Sequence, residues 1–166
     1  MSNDMTEVIK LLKRIARNTD RIASAMECRK KSSTAKPSDD TRVALAVIAI
    51  ARGASSFQAA RKVAEAVANS TLVKCAWAGN DPNWGRILDA AGYCGVRIRE
   101  ELVDIYYDGV VAVRGGTAAP TPKEKLVAAV TPDKFTVTID LHQGKSFYTV
   151  YTTDLTEKYV ELNLSE

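Results

Sequence analysis

Val103-Asp104-Ile105-Tyr106-Tyr107-Asp108-Gly109-Val110-Val111-Ala112-Val113 sets the fold class. Two runs rich in Val, Ile and Tyr flank Asp108-Gly109, a dipeptide that supplies the positive φ of a tight hairpin turn. Downstream, Phe135, Val137 and Ile139 alternate with Lys134, Thr136, Thr138 and Asp140, the pattern of a half-buried strand. Gln143-Gly144 then turns the chain into a further strand over 146–152. Val160, Leu162 and Leu164 alternate with Tyr159, Glu161 and Asn163, which predicts a last strand with Glu161 and Asn163 opposite its apolar face.

Upstream of the hairpin the pattern changes. Thr41–Ala51 is rich in Val, Ile and Ala; it fits a buried strand ended by Gly53, although its alanines leave the element type open. Ser55 with Gln58 forms a possible capping box, and Phe57, Ala60, Val63, Ala64 and Val67 make the apolar face of the helix after it. Leu72–Ala78 is a short apolar run that predicts a core strand. Asp81 is placed as an N-cap and Pro82 as the first residue of a helix running to Ala91, with Gly92 as its left-handed exit and a restart through Val96–Glu101. Thr121, Pro122 and Glu124 announce a short helix to Val130. The resulting fold class is α+β: a mostly antiparallel sheet with helices packed on one face, plus an N-terminal amphipathic helix.

That N-terminal helix rests on Val8, Leu12, Ile15, Thr19, Ile22 and Met26, a heptad seam widened by Leu11, with Asp4 and Glu7 able to cap its start. It would dock on the body or on another copy, because an isolated amphipathic helix is marginal. Charge marks the same boundary. Residues 1–36 carry nine basic and four acidic groups, a net +5 that leaves −2 for the remainder of the chain. A basic helical arm and linker over 1–36 is thus joined to a body over 37–166 by Lys30–Asp40, a polar stretch containing Pro37. No aromatic residue is interleaved with the arm's charges, which argues against nucleic acid as a partner.

Composition excludes several classes. With 166 residues and 46% hydrophobic content, the chain can bury a core without staples. No apolar run is long enough to span a membrane, and no signal-peptide pattern opens the chain. Cys28, Cys75 and Cys94 are widely spaced and His142 is the only histidine, so no metal site is expected and reduced thiols point to the cytoplasm. His142 beside Gln143-Gly144 reads as an exposed histidine. Gly115-Gly116-Thr117 lacks a following lysine and reads as a flexible connection rather than a phosphate loop. Asp39-Asp40 reads as solvated linker. No nucleophile–base constellation can be named.

The stretch Asp81-Pro82-Asn83-Trp84-Gly85-Arg86 stands apart. Trp84 and Arg86 on the first turn of a helix fit either a buried structural turn or a ligand site in which Arg86 pairs with a carboxylate. Together with Val73-Lys74, Ala76, Gly79 and Ile87 it resembles the signature of the ornithine acetyltransferase (glutamate N-acetyltransferase) family, the bifunctional enzymes of arginine biosynthesis. Ala60–Val73 fits the same pattern, as do Asp154-Leu155-Thr156, Tyr159-Val160 and Leu162-Asn163. The resemblance covers about Thr41–Asn163, roughly three quarters of the chain, and corresponds to the C-terminal, β-chain portion of the family.

The resemblance implies a self-cleaving precursor whose threonine becomes the nucleophile of the β chain. Acetyl passes from N-acetylornithine to glutamate through an acetyl-enzyme, with two α-chain threonines as oxyanion hole and no organic cofactor. Asn163 matches the family's substrate-contacting asparagine, while Asp81, Asn83, Trp84 and Arg86 carry over as motif residues, either near the site or structural. The nucleophile-bearing Ala-Thr-Met-Leu stretch is absent. Ser38 stands where the family's Gly-Glu-Gly-Ala-Thr-Lys element has its glutamate, Leu164-Ser165-Glu166 replaces the terminal threonines, and residues 1–36 correspond to nothing in the family's pattern. Two expectations follow. The chain is one piece of an acetyltransferase acting on small amino-acid substrates, completed by a separately encoded α-like half that brings the nucleophile and oxyanion hole. Alternatively, it is a non-catalytic module that forms homo- or hetero-oligomers through its N-terminal helix.

Overall fold

The computed structural model describes residues 45–164; the amphipathic helix predicted for the N-terminal arm, Asp39-Asp40 and Cys28 lie outside them. The order is β1 (Ala46–Ala54), α1 (Phe57–Ala68), α2 (Thr71–Ala78), α3 (Trp84–Gly92), a 3₁₀ turn (Glu100–Leu102), β2 (Asp104–Tyr107), β3 (Val110–Arg114), β4 (Thr117–Ala118), α4 (Lys123–Val130), β5 (Lys134–Asp140), β6 (Ser146–Thr153) and α5 (Glu157–Leu164). One sheet holds all six strands in the order β4-β3-β2-β5-β1-β6. The fold is α+β, with β1 and β5 parallel and the other four pairings antiparallel.

Strand alternation aims one face of the sheet at the helices. Val47, Ala49 and Ala51 of β1, Phe135, Val137 and Ile139 of β5, and Ile105 and Tyr107 of β2 are fully buried. Ala60, Val63, Ala64 and Val67 of α1 close over them, as the sequence periodicity predicts. Each buried Val or Ile contributes about 1.5–3 kcal/mol. Trp77 packs edge-on against Phe135, and Phe135 against Tyr107, which ties α2 to the centre of the sheet.

Two predicted strands are helices. Residues 71–78 begin with Ser70 as N-cap, its hydroxyl accepting from Val73 N–H at 3.5 Å, and bury Val73, Ala76 and Trp77 at helical spacing. A seven-residue apolar run is long enough for either element, and Ser70 with the flanking packing decides it. The C-terminal segment 157–164 is also helical, nucleated by Thr156, whose hydroxyl accepts from Tyr159 N–H at 3.3 Å. Its alternation has no consequence, because no side chain of this helix is buried.

Smaller corrections follow the same logic. Ser56, not Ser55, caps α1. Val96–Glu101 does not restart a helix; only the 3₁₀ turn at 100–102 forms. Gly92 closes α3 without a left-handed exit, and Tyr93 is the C-cap. Gly115 and Gly116 are not a loose connection. Both take positive φ, and their N–H groups bond Asp104 and Val103 across the β3–β4 turn. Among the described residues no helix is long and apolar enough to cross a membrane.

Gly53 does not end β1. It sits in a bulge with φ +67°, and the strand rejoins β6 at Ala54↔Ser146. A Cβ here would lie 2.5 Å from Asp140 Oδ1 and 2.8 Å from His142 N. Gly53→Ala is therefore expected to destabilise the fold by about 2–3 kcal/mol, from backbone strain and the steric clash together. A lowered urea midpoint checks this, whereas an unchanged midpoint would mean the bulge relaxes freely.

Candidate functional site

The signature stretch forms the corner between α2 and α3. Asn80 takes a left-handed φ of 51°, and Asp81 N–H returns to the Ala76 carbonyl at 2.8 Å. The expected cap, Asp81, is displaced by Asn83, whose Oδ1 accepts from Arg86 N–H at 3.3 Å. The reason is reach: α3 begins at Trp84, so Arg86 N–H is the third free donor and Asn83 is the residue placed to take it. Asp81 instead braces the cap, its Oδ2 accepting from Asn83 Nδ2 at 3.0 Å. Trp84 packs half-buried against the core. Arg86 donates from Nη1 to the Leu72 carbonyl at 2.8 Å. These bonds fasten the chain to itself, as a structural turn requires.

The second motif stretch meets the first through α2. Asp154 is buried, its Oδ1 accepting from Leu45 N–H at 2.9 Å, and Leu155 N–H donates to the Lys74 carbonyl at 3.4 Å. Residues 72–74, 81–86 and 154–155, far apart in sequence, therefore share one helix as their anchor. Asn163 lies beyond, exposed on α5, its Nδ2 donating to the Tyr159 carbonyl at 2.7 Å.

Close to this corner lies the buried Tyr107. Its hydroxyl has no hydrogen-bond partner among the described residues. Burial, reinforced by the negative charge of Asp81, pushes its phenol well above the usual range.

Sequence reasoning missed a polar cluster at the far end of the sheet. Asp104 on β2 and Asp140 on β5 are direct partners in register, and both are buried. Like charges directly opposite are destabilising, so cations and donors must intervene. His142 Nε2 lies 3.2 Å from Asp104 and its Nδ1 3.6 Å from Asp140. Arg52 Nε donates to Asp140 at 2.6 Å, and Arg114 stands 3.5 Å from Asp104. Burial opposes ionisation of Asp104, but Gly115 N–H, the Tyr106 hydroxyl, His142 and Arg114 outweigh it and hold the carboxyl below its usual value. Tyr106 is held protonated, since burial and the Asp104 hydrogen bond raise its phenol.

His142 itself has φ 49°, an uncommon backbone for a non-glycine residue. Beside it a groove of about 540 Å³ is lined by Arg52, Lys145, Ile50 and Phe147. Among the described residues no group of three or more His, Cys, Asp or Glu is arranged to hold a metal ion. The alternating Asp-x-Tyr and Asp-x-His patterns were visible in the sequence, but the register that pairs them was not.

Comparison with known proteins gives this geometry a family. Residues 6–165 match the ArgJ family. The chain belongs to it. The match reaches back into the basic arm, so the segment expected to lie outside the family's pattern falls within the matched span. ArgJ of Geobacter sulfurreducens, an "Arginine biosynthesis bifunctional protein ArgJ", is 45% identical over 113 residues, 68% of this chain and 29% of the relative. The protein of that name from Chlorobaculum tepidum is 40% identical over 111 residues, 67% of this chain and 28% of the relative. The crystal structure of arginine biosynthesis bifunctional protein argJ from Bacillus halodurans superposes with a TM-score of 0.71 at 25% identity, over 99% of this chain and 71% of that one. This chain thus spans under a third of the length of the curated ArgJ relatives it matches.

Two outcomes test the geometry. Arg86→Ala removes a charged donor from the Leu72 carbonyl and is expected to cost about 1–3 kcal/mol in thermal or urea unfolding; an unchanged melting temperature would show that the corner holds without it. Asp104 has a folded pKa below that of an unfolded aspartate, about 3.9. Its ionised form therefore stabilises the fold above that value, and the contribution is lost as pH falls through the folded pKa. The stability difference between the wild type and Asp104→Asn should shrink as the pH of urea titrations is lowered from 6 to about 2.5.

Proposed function

We propose that this chain is the C-terminal part of an ornithine acetyltransferase-like machine of arginine biosynthesis, supplying scaffold and pocket wall rather than the attacking hydroxyl. The observation that carries the reading is the convergence of the family's three motif stretches on α2, in a chain 45% identical to an ArgJ protein over 113 residues. The reaction is acetyl transfer from N-acetylornithine to glutamate. Covalent acyl transfer needs an activated nucleophile and donors for the oxyanion. This sequence contains no Ala-Thr-Met-Leu stretch, so both come from the portion of the family that the chain does not span.

Within that division of labour, Asn163 is the substrate-contacting residue. It is exposed at the C-terminal end of the described residues, on a helix with no buried face of its own. Its amide is free to turn from the Tyr159 carbonyl toward a ligand carried by the rest of the assembly. The body over 37–166 acts in the cytoplasm without an organic cofactor, in an oligomer with its completing half. The missing nucleophile also favours a second reading, a non-catalytic module that assembles through the basic segment of residues 1–36, whose sequence predicts an amphipathic helix.

A chimera separates the readings. In the Geobacter sulfurreducens relative, the portion corresponding to residues 45–164 is replaced by those residues of this chain. The chimera is expected to transfer acetyl from N-acetylornithine to glutamate, and Asn163→Ala in it to lower kcat/KM at least about tenfold. The isolated chain should form no acetyl-enzyme detectable by mass. An inactive but folded chimera would favour the non-catalytic module.

A further inference from the structure

The sheet has two unlike faces. Helices α1 to α4 all join the core on one of them. The other carries Ile48 and Ile50 of β1, Thr136 and Thr138 of β5, and Phe147 and Tyr151 of β6. Phe147 and Tyr151 are 67% and 78% exposed, large aromatic rings on a strand whose other face meets α1. At one end of this open face stands the buried Asp104–Asp140 pair with Arg52, His142 and Arg114.

We propose that this open face is the docking surface for the part of the ArgJ fold that the chain does not span, with Phe147 and Tyr151 as its apolar anchors and the charged cluster as its polar rim. The inference rests on the reading that such a part completes the machine. Three observations select this occupant. Relatives carry more than twice as much chain again as the matched portion, since the match covers only 28–29% of their length.

Size is the second. Six strands at about 4.8 Å spacing make a face roughly 25 Å wide, whereas a single helix is about 10–12 Å across. One amphipathic helix would cover less than half of it, so the occupant is a folded body. Composition is the third. Threonines interleave with the few apolar residues, and the end of the face is charged. That mixture suits contacts between domains, which are more polar than obligate dimer interfaces. A second copy forming an obligate pair would call for a face resembling a core cut in half.

The test is site-directed labelling. Tyr151→Cys is placed in the full chain alone and in the chimera described above. Lys62→Cys, on the exposed side of α1, serves as the control. Maleimide modification is followed at each engineered cysteine by peptide mass. In the chimera, labelling at position 151 should fall at least tenfold relative to the isolated chain while position 62 is unchanged.

Equal rates at 151 in the two proteins overturn the proposal. So does protection at 151 in the isolated chain that grows with protein concentration, which would assign the face to a second copy. Should the chimera fail to show a cooperative melt, co-purification decides. The wild-type chain should hold the relative truncated of its matched residues, and Phe147→Lys with Tyr151→Lys should release it. Failure of the wild type to hold it, or retention by the double variant, overturns the proposal. Acetyl transfer is read separately. An active chimera labelled freely at 151 refutes the docking face alone, and a protected but inactive chimera refutes the activity reading alone.

Discussion

The placement of β1 governs the rest of this structure. It pairs parallel with β5 on one side and antiparallel with β6 on the other, and α1 packs directly upon it. A one-residue slip would turn Val47, Ala49 and Ala51 outward and Ile48 and Arg52 inward. Two devices at its ends hold the register. At the start, the buried Asp154 carboxylate accepts the Leu45 N–H. At the finish, the Gly53 bulge brings the backbone against Asp140 and lets Arg52 reach it. Both ends thus use acidic residues drawn from far along the chain.

The motif residues take their meaning from the first of these ends. Asp154-Leu155 grips β1 and α2 together, and Arg86 holds α2 through the Leu72 carbonyl. A short helix of eight residues is marginal by itself, and here its carbonyls are claimed by two neighbouring stretches. The family signature therefore reads physically as the fastening of α2.

At the other end, the Asp104–Asp140 pair shows how a sheet accommodates two opposed carboxylates. His142, Arg52, Arg114, Tyr106 and the Gly115 N–H divide the charge between them. Holding His142 there places its backbone at positive φ. Ligand-binding surfaces commonly carry such local strain, and this one borders the open face of the sheet. That face carries the exposed rings of Phe147 and Tyr151 beside this paired cluster.

By itself the sequence determined the α+β class, the hairpin at Asp108-Gly109, the helices 57–68 and 123–130, the strands β2, β3, β5 and β6, and the family. Each of these is written in local chemistry: turn residues, caps and hydrophobic periods act within a few positions of one another. Only the tertiary structure decided that Leu72–Ala78 and Val160–Leu164 are helices, since a short apolar run and a short alternation are compatible with either element until packing or a cap selects one. The parallel pairing of β1 with β5, the meeting of Asp104, Asp140 and His142, and the exposure of Phe147 and Tyr151 on the second face were equally out of reach. They depend on which distant strands become neighbours, and that is settled by the competition of whole faces for burial rather than by any residue's immediate surroundings.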